Sequence, residues 1–206
     1  MTVVEEAAPT AEGYVNPYVD VAASDWFYDA VRFVSERGLM TGTGADRFSP
    51  GTATTRAMLV TTLHRLAGAP AAAAEGLPFP DVESGQWYTD AVRWAAENGV
   101  VEGYDDGLFR PHDFVTREQI VTILYRYDRR GGAGTDAQAD LSPYADADRI
   151  SDWARPAAQW AVAREILQGR DGTTLAPRDR ATRAEVAAIL QRYLADSPGT
   201  DTSEGA

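Results

Sequence analysis

The sequence predicts an all-α protein made of three helix-loop-helix repeats that close on one another with pseudo-threefold symmetry. The first observation is a four-residue pattern that occurs at 55–58, 116–119 and 182–185, reading Thr-Arg-Ala-Met, Thr-Arg-Glu-Gln and Thr-Arg-Ala-Glu. Each copy stands directly before an apolar run of helical period, which marks a helix start. The second observation is strict register, because Asp20 and Asp81, like Trp26 and Trp87, lie 61 positions apart.

The third observation is that the second helix of each repeat is as apolar in the outer repeats as in the middle one. A two-helix unit cannot bury its apolar face alone, so stacked repeats share a core. An open stack needs polar outer faces on its terminal repeats. The apolar outer repeats therefore favour a closed arrangement. The alternative is an open stack whose exposed end is covered by a partner or by a second copy.

Composition limits the possible function classes. The 206-residue chain has a formal net charge of −12 and no cysteine, and all 19 of its basic residues are arginine. The acidic balance argues against general nucleic-acid binding, which needs a basic surface. The lack of cysteine excludes disulfides and thiolate metal sites. No apolar run approaches the ~18 residues of a membrane span, and residues 1–15 lack the apolar segment of a signal peptide. We expect any export signal to lie outside this chain.

The repeats are predicted at 16–70, 79–127 and 144–194. The acidic lead-in at 1–15 and the tail at 195–206 lack core-forming residues and are predicted to be disordered. In the first repeat, Ser24 and Asp25 are expected to cap a helix that ends at Gly38. In the second repeat, Gly99 ends the equivalent helix.

The third repeat departs from this design at two points. Asp81 and Asp146 lie 65 positions apart, whereas Trp87 and Trp153 lie 66 apart, so one residue is inserted between the aspartate and the tryptophan. Glu165 replaces the helix-ending glycine. We expect the first helix of this repeat to end differently.

The second helices should be capped by the threonine of the four-residue pattern. Glu or Gln three residues later predicts a capping box in the second and third copies, whereas Met58 removes half of it from the first. The repeated arginines, Arg56, Arg117 and Arg183, fall at the first helical position, where a cation costs about 0.3–1 kcal/mol. Helix amides with a guanidinium form a ready site for a carboxylate or phosphate. Alternatively, each arginine pairs with a neighbouring Asp and joins the repeats, and both roles can hold at once.

The order of these submotifs resembles the S-layer homology (SLH) domain. The family pattern is Phe/Tyr-x-Asp-Val, Trp-Tyr-x-x-Ala-Val, Gly, Phe-x-Pro and Thr-Arg-Ala-Glu, and three copies that align with it cover about residues 16–194. The resemblance implies a three-pronged, monomeric module without catalysis or cofactor, located outside the cell. It implies non-covalent anchoring of a surface protein to secondary cell-wall polysaccharide. In this family the ligand commonly carries pyruvylated amino sugars, whose carboxylate fits the anion site.

The resemblance also implies that ligand binds in grooves between neighbouring repeats. The repeated arginines would hold the carboxylate through bidentate bonds that lysine could not reproduce. At least one of the three grooves is expected to be degenerate. Carried onto this sequence, the ligand-binding residues are Arg56, Arg117, Arg183, Asp20, Asp81, Asp146, Gly42, Gly103, Gly169, Trp26, Trp87 and Trp153.

Each of the other groups also has a structural interpretation. The aspartates could accept sugar hydroxyls, or cap the following turn or pair the arginines. The glycines could admit a sugar, or simply permit positive φ. The tryptophans could lie on the surface and stack on sugar rings, or lie in the core. The core is the favoured interpretation for Trp26, Trp87 and Trp153. Trp94 and Trp160 follow the apolar stripe and are predicted to be buried.

Other functions have weaker support. The acidic loop at 105–107 lacks the spaced carboxylates of an EF-hand, and His64 and His112 have no ligand-spaced partner. No motif places two carboxylates in a common cleft, as a glycan hydrolase requires. A helical-repeat scaffold that binds a partner protein is the main alternative function.

Overall fold

The computed structural model describes residues 14–73, 76–132 and 136–196. The described part is helical, without strands, which confirms the all-α prediction. The predicted disorder at 1–15 and 195–206 lies outside the described residues except at 14–15 and 195–196, and it is wrong at 195–196, which belong to the last helix. Short 3-10 helices occupy Ala147–Arg149 and Asp152–Ala154. The α-helices are α1 (Tyr28–Glu36), α2 (Arg56–Leu66), α3 (Thr89–Glu97), α4 (Arg117–Arg130), α5 (Arg155–Ala163) and α6 (Arg183–Asp196).

The segments that precede the second helices join the three repeats in a ring. The amide of Thr54 donates to the carbonyl of Ala181 (2.9 Å), that of Ala181 to Val115 (3.0 Å), and that of Val115 to Thr54 (2.9 Å). The first repeat is therefore bonded to the third as directly as to the second. This cycle is compatible with the predicted pseudo-threefold closure.

Helix packing follows the same cyclic order. The first helix of each repeat packs on the second helix of the preceding repeat, so α3 contacts α2, α5 contacts α4, and α1 contacts α6. One contiguous core results, in which Trp94 and Trp160 are buried as predicted. The α1–α6 contact brings the first and last α-helices of the described residues together.

The first helices all end in the same way, so the prediction for the third repeat is wrong. Gly38 and Gly99 adopt φ of 64°, and Glu165 adopts φ of 55°. The amide of the next residue, Ile166, still bonds to the carbonyl of Ala161 (2.8 Å), as in the other repeats. Ile166 is fully buried. Burial of this residue holds Glu165 in a conformation that side chains disfavour.

The predicted cap of the first helix is also wrong. α1 begins at Tyr28 and has no side-chain cap. Asp25 instead accepts a hydrogen bond from the amide of Ala22 (2.7 Å). It therefore holds the turn before the helix rather than the helix itself.

Replacing Glu165 by glycine is expected to stabilise the protein. Relief of the left-handed backbone outweighs the added freedom of the unfolded chain, for a gain of about 0.5–1 kcal/mol. Urea denaturation would measure the gain. As the matched control, Gly99→Ala should lower the free energy of unfolding by a similar amount. A loss of stability in Glu165→Gly would contradict this explanation.

Candidate functional site

The four-residue pattern begins the second helices as predicted. Gln119 Oε1 accepts from the amide of Thr116 (3.1 Å) while Thr116 Oγ1 accepts from that of Gln119 (3.3 Å). Glu185 accepts from the amide of Thr182 (2.9 Å) in the same way. These bonds confirm the capping boxes of the second and third copies. In the first copy the threonine bond alone remains.

The repeated arginines join each repeat to the next. Arg183 donates from Nε to the carbonyl of Phe48 (2.8 Å) and from Nη2 to that of Thr41 (2.6 Å). The joining role is therefore confirmed, although the acceptors are backbone carbonyls and not aspartates. The equivalent acceptors are the carbonyls of Phe109 and Glu102 for Arg56, and those of Leu175 and Gln168 for Arg117.

These carbonyls explain why a cation is tolerated at the positive end of a helix. Arg56, Arg117 and Arg183 are only 4–6% exposed, and burial lowers the pKa of each. An arginine stays protonated despite such a shift, because its ordinary pKa lies above about 12. The guanidinium groups thus act as buried charged donors between repeats. Their predicted contacts with a ligand stay a prediction.

The aspartates of the opening motif clamp the loop that these carbonyls belong to. Asp20 accepts from the amides of Phe48 (2.8 Å) and Ser49 (2.9 Å), and Ser49 has a φ of 58°. Burial would raise the pKa of Asp20, but the two amide donors outweigh it and lower the pKa. The aspartate therefore has a structural role, but the loop that it holds lies 28 positions further along the chain and is not the turn that follows it. Ligand contact stays a prediction. Asp81 and Asp146 make equivalent bonds to Phe109 with Arg110 and to Leu175 with Ala176.

The loop glycines are required by close packing within their own repeats. A Cβ added to Gly42 would lie 2.7 Å from the carbonyl oxygen of Arg47, and one added to Gly103 would lie 2.9 Å from a ring carbon of Phe79. Neither they nor Gly169 has positive φ, so that alternative is wrong. Close approach of ligand to these glycines stays a prediction.

The tryptophans that precede the first helices lie on the surface. Trp26, Trp87 and Trp153 are 67%, 59% and 56% exposed, so the core interpretation is wrong. The residue after each one turns inward instead, as the buried Tyr88 and Ala154 show. Stacking of these rings on a ligand stays a prediction.

A cleft of about 610 Å³ lies where the third repeat meets the first. We call it the closing cleft. It lies between the segment that precedes α1 and one face of α6. Its lining includes Trp26, Phe27 and Pro50 from the first repeat, Arg117 from the second, and Gln168, Gly169, Arg170, Ala184, Glu185, Ile189 and Arg192 from the third.

Glu185 forms ion pairs with two of the arginines in the closing cleft. Its Oε1 atom lies 3.2 Å from Arg117 Nη1 and 2.9 Å from Arg170 Nε. Arg170 also pairs with Asp179 at 2.6 Å. Burial would raise the pKa of Glu185, but bonds from Arg170 and the Thr182 amide, with the charge of Arg117, lower it. Glu185 therefore stays ionised.

Arg192 is the third arginine that lines the closing cleft. Within the described ranges it makes no hydrogen bond and no ion pair, and burial lowers its pKa. It is half-buried on α6 and lines the closing cleft. Sequence reasoning missed this residue. Its signal was regular spacing, since Arg65, Arg126 and Arg192 each follow a repeated arginine by nine positions.

In the described part of the chain, no helix has the length and apolarity to traverse a bilayer. The same part of the chain has no group of three or more His, Asp or Glu side chains that could hold a metal ion.

Comparison with known proteins gives a consistent result. The model of the S-layer homology domain matches residues 17–57, 78–121 and 143–187. An amylopullulanase of Thermoanaerobacterium thermosulfurigenes is 31% identical over 173 residues, which cover 84% of this chain and 9% of that protein. The surface-layer 125 kDa protein of Lysinibacillus sphaericus is 30% identical, over 86% and 15%. A cellulosome-anchoring protein of Acetivibrio thermocellus is 28% identical, over 73% and 34%. The chain thus spans a minor part of each relative.

Proposed function

This chain belongs to the S-layer homology domain family, and from that premise we propose that it anchors a surface protein by binding acidic secondary cell-wall polysaccharide in the closing cleft. The family is a non-catalytic module of extracellular cell-wall association. A surface-layer protein and a cellulosome-anchoring protein among its relatives support the anchoring role. The ligand we propose is a pyruvylated amino sugar, which offers one carboxylate on a sugar ring.

The observation that carries the proposal is the guanidinium of Arg192, which has no hydrogen-bond or ion-pair partner among the described residues. A half-buried charge without a partner loses hydration and gains nothing in return. A ligand carboxylate supplies the missing partner through a charge-assisted, bidentate bond. Glu185 already satisfies Arg117 and Arg170, so the cleft is left with a single cation for a single carboxylate.

The remaining walls suit the rest of a sugar. Trp26 offers an exposed aromatic face, on which the apolar face of a ring can stack. Ile189 and Pro50 add apolar surface against which a ketal methyl can pack. Of the ligand residues predicted from sequence, Arg117, Gly169 and Trp26 line the closing cleft. The proposal gives a ligand contact to Trp26 and assigns the carboxylate to Arg192 instead of Arg117.

Replacing Arg192 by alanine is expected to weaken binding of the polysaccharide about 30-fold or more, since truncating one member of a desolvated charge pair costs about 2 kcal/mol at the low end. Arg192→Lys should also bind weakly, because an ammonium cannot form the bidentate bond. Calorimetry with the methyl glycoside of a pyruvylated N-acetylhexosamine would measure both.

Arg129→Ala is the matched control, because it removes the same charge from an exposed position on α4. Its affinity should equal that of the unmodified protein. Wild-type affinity in Arg192→Ala would contradict the assignment of the ligand carboxylate to this residue. Failure of the unmodified protein to bind purified sacculi would favour the protein-interaction scaffold instead.

A further inference from the structure

The groove between the second and third repeats contains an arginine equivalent to Arg192. Arg126 follows Arg117 by nine positions, as Arg192 follows Arg183. The charge of Arg126 acts on the buried guanidinium of Arg56, just as that of Arg192 acts on Arg117. We call this the second-third groove. Arg126 holds in it the place that Arg192 holds in the closing cleft.

In the second-third groove, Arg126 already forms an ion pair with a carboxylate of the chain itself. Arg126 Nη2 lies 2.7 Å from Glu102 Oε2. The equivalent of Glu102 in the closing cleft is the uncharged Gln168. The two positions correspond because the backbone carbonyl of each accepts a bond from a repeated arginine, Arg56 in one case and Arg117 in the other.

A second carboxylate spans the same groove. Glu118 is 5% exposed and accepts two bonds from Ser151, one from its amide (2.9 Å) and one from its hydroxyl (3.0 Å). Ser151 lies two residues before Trp153, the equivalent of Trp26, in the segment that the insertion lengthens. The equivalent of Glu118 in the closing cleft is Ala184, whose small side chain leaves the cleft open.

We infer that the second-third groove is a further binding site for the same acidic sugar, masked by the chain's own Glu102 and Glu118. This inference rests on the proposed function of the closing cleft. Glu102 pairs with Arg126 as the ligand carboxylate would. Glu118 fills the space between the second and third repeats. The pair between Glu102 and Arg126 is largely exposed, with side-chain exposures of 71% and 32%. An exposed pair is weak, so the bridge from Glu118 to Ser151 contributes most of the mask.

The double variant E102Q/E118A tests the inference, because it gives both positions the residues of the closing cleft. The probe is the methyl glycoside of a pyruvylated N-acetylhexosamine, followed by calorimetry and by the indole N–H resonances of the tryptophans. We expect the stoichiometry to rise by one over the wild type. We expect the Trp153 resonance to shift with probe in the variant and to stay fixed in the wild type. Adding Arg126→Ala should abolish both gains.

E102Q alone keeps the test valid if the double variant fails to fold, because Glu102 is exposed. In this variant the Trp153 resonance should shift at high probe concentration, whereas it stays fixed in the wild type, and a fixed resonance in folded E102Q at saturating probe would contradict the masking. Unchanged stoichiometry with a fixed Trp153 in folded E102Q/E118A, or a Trp153 shift in the wild type, would overturn the masking. A probe that binds neither the wild type nor any variant would overturn the proposed function instead.

Discussion

Replacing Arg183 by alanine is expected to lower the free energy of unfolding by about 3–5 kcal/mol, since hydrogen bonds to charged groups contribute about 1.5–3 kcal/mol each and two are lost. The carbonyls of Phe48 and Thr41 lose their donor. The guanidinium also covers the Phe48 ring, with its carbon 4.5 Å from the ring centre. Urea denaturation, with an unchanged dependence on denaturant, would measure the loss.

Comparison of Arg183→Ala with Arg56→Ala tests whether the ring of repeats is closed. Arg56 joins the first repeat to the second, whereas Arg183 joins the third back to the first. In a closed ring the two variants should lose similar stability. The surface control Arg129→Ala should stay within about 0.5 kcal/mol of wild type. A cost below about 1 kcal/mol for Arg183→Ala, far under the value that two charged bonds imply, would contradict its role in closing the ring.

The repeats, their helices and their capping boxes were predictable because each depends on local spacing. Threonine followed three residues later by Gln119 or Glu185 specifies a helix start from side-chain reach alone. The burial of Trp94 and Trp160 followed from helical period. Closure was also indicated, since no outer repeat had the polar face that an open end requires.

The direction of individual side chains could not be read in the same way. Trp87 and Tyr88 are adjacent aromatic residues, and only the tertiary packing decides that Tyr88 enters the core while Trp87 stays outside. Glu165 misled the prediction because its local preference is overridden by the buried Ile166 that follows. In both cases the burial of an adjacent residue determines the conformation or the exposure of the residue beside it.

A groove between neighbouring repeats was predicted from the sequence, but the pairing of the charged side chains in the closing cleft was not. The sequence predicted that Arg117 binds an anion, but it did not show that the carbonyls of Leu175 and Gln168 and the carboxylate of Glu185 hold its guanidinium. Those partners lie more than fifty positions away. Whether an arginine has a partner depends on every carboxylate that folding brings near it, and among the described residues Arg192 has none.

A buried polar cluster ties α4 to α6 beyond the cleft. Asp128 is 5% exposed and accepts bonds from Arg164 Nη1 (2.9 Å) and from the hydroxyl of Tyr193 (3.0 Å). Arg164 also pairs with Asp196. Burial, followed by the charge of Asp128, raises the pKa of Tyr193, so its hydroxyl remains a donor. The equivalents of Asp128 in the other repeats are Ala67 and Leu194, so this cluster belongs to the junction of the second and third repeats.

Replacing Asp128 by alanine is therefore expected to cost about 3–5 kcal/mol, as for removal of one partner from a buried charged pair. Arg164 would keep Asp196, but Tyr193 would lose its acceptor at Asp128 inside the core. Asp128→Asn should cost less, since its amide oxygen can still accept from one of the two donors. Thermal and urea unfolding would rank the variants, with the exposed Asp105→Ala as a control close to wild type. If Asp128→Ala and Asp128→Asn were equally stable, the hydroxyl and guanidinium bonds would not be what holds this junction, and packing of the aromatic rings around Tyr193 would have to explain it.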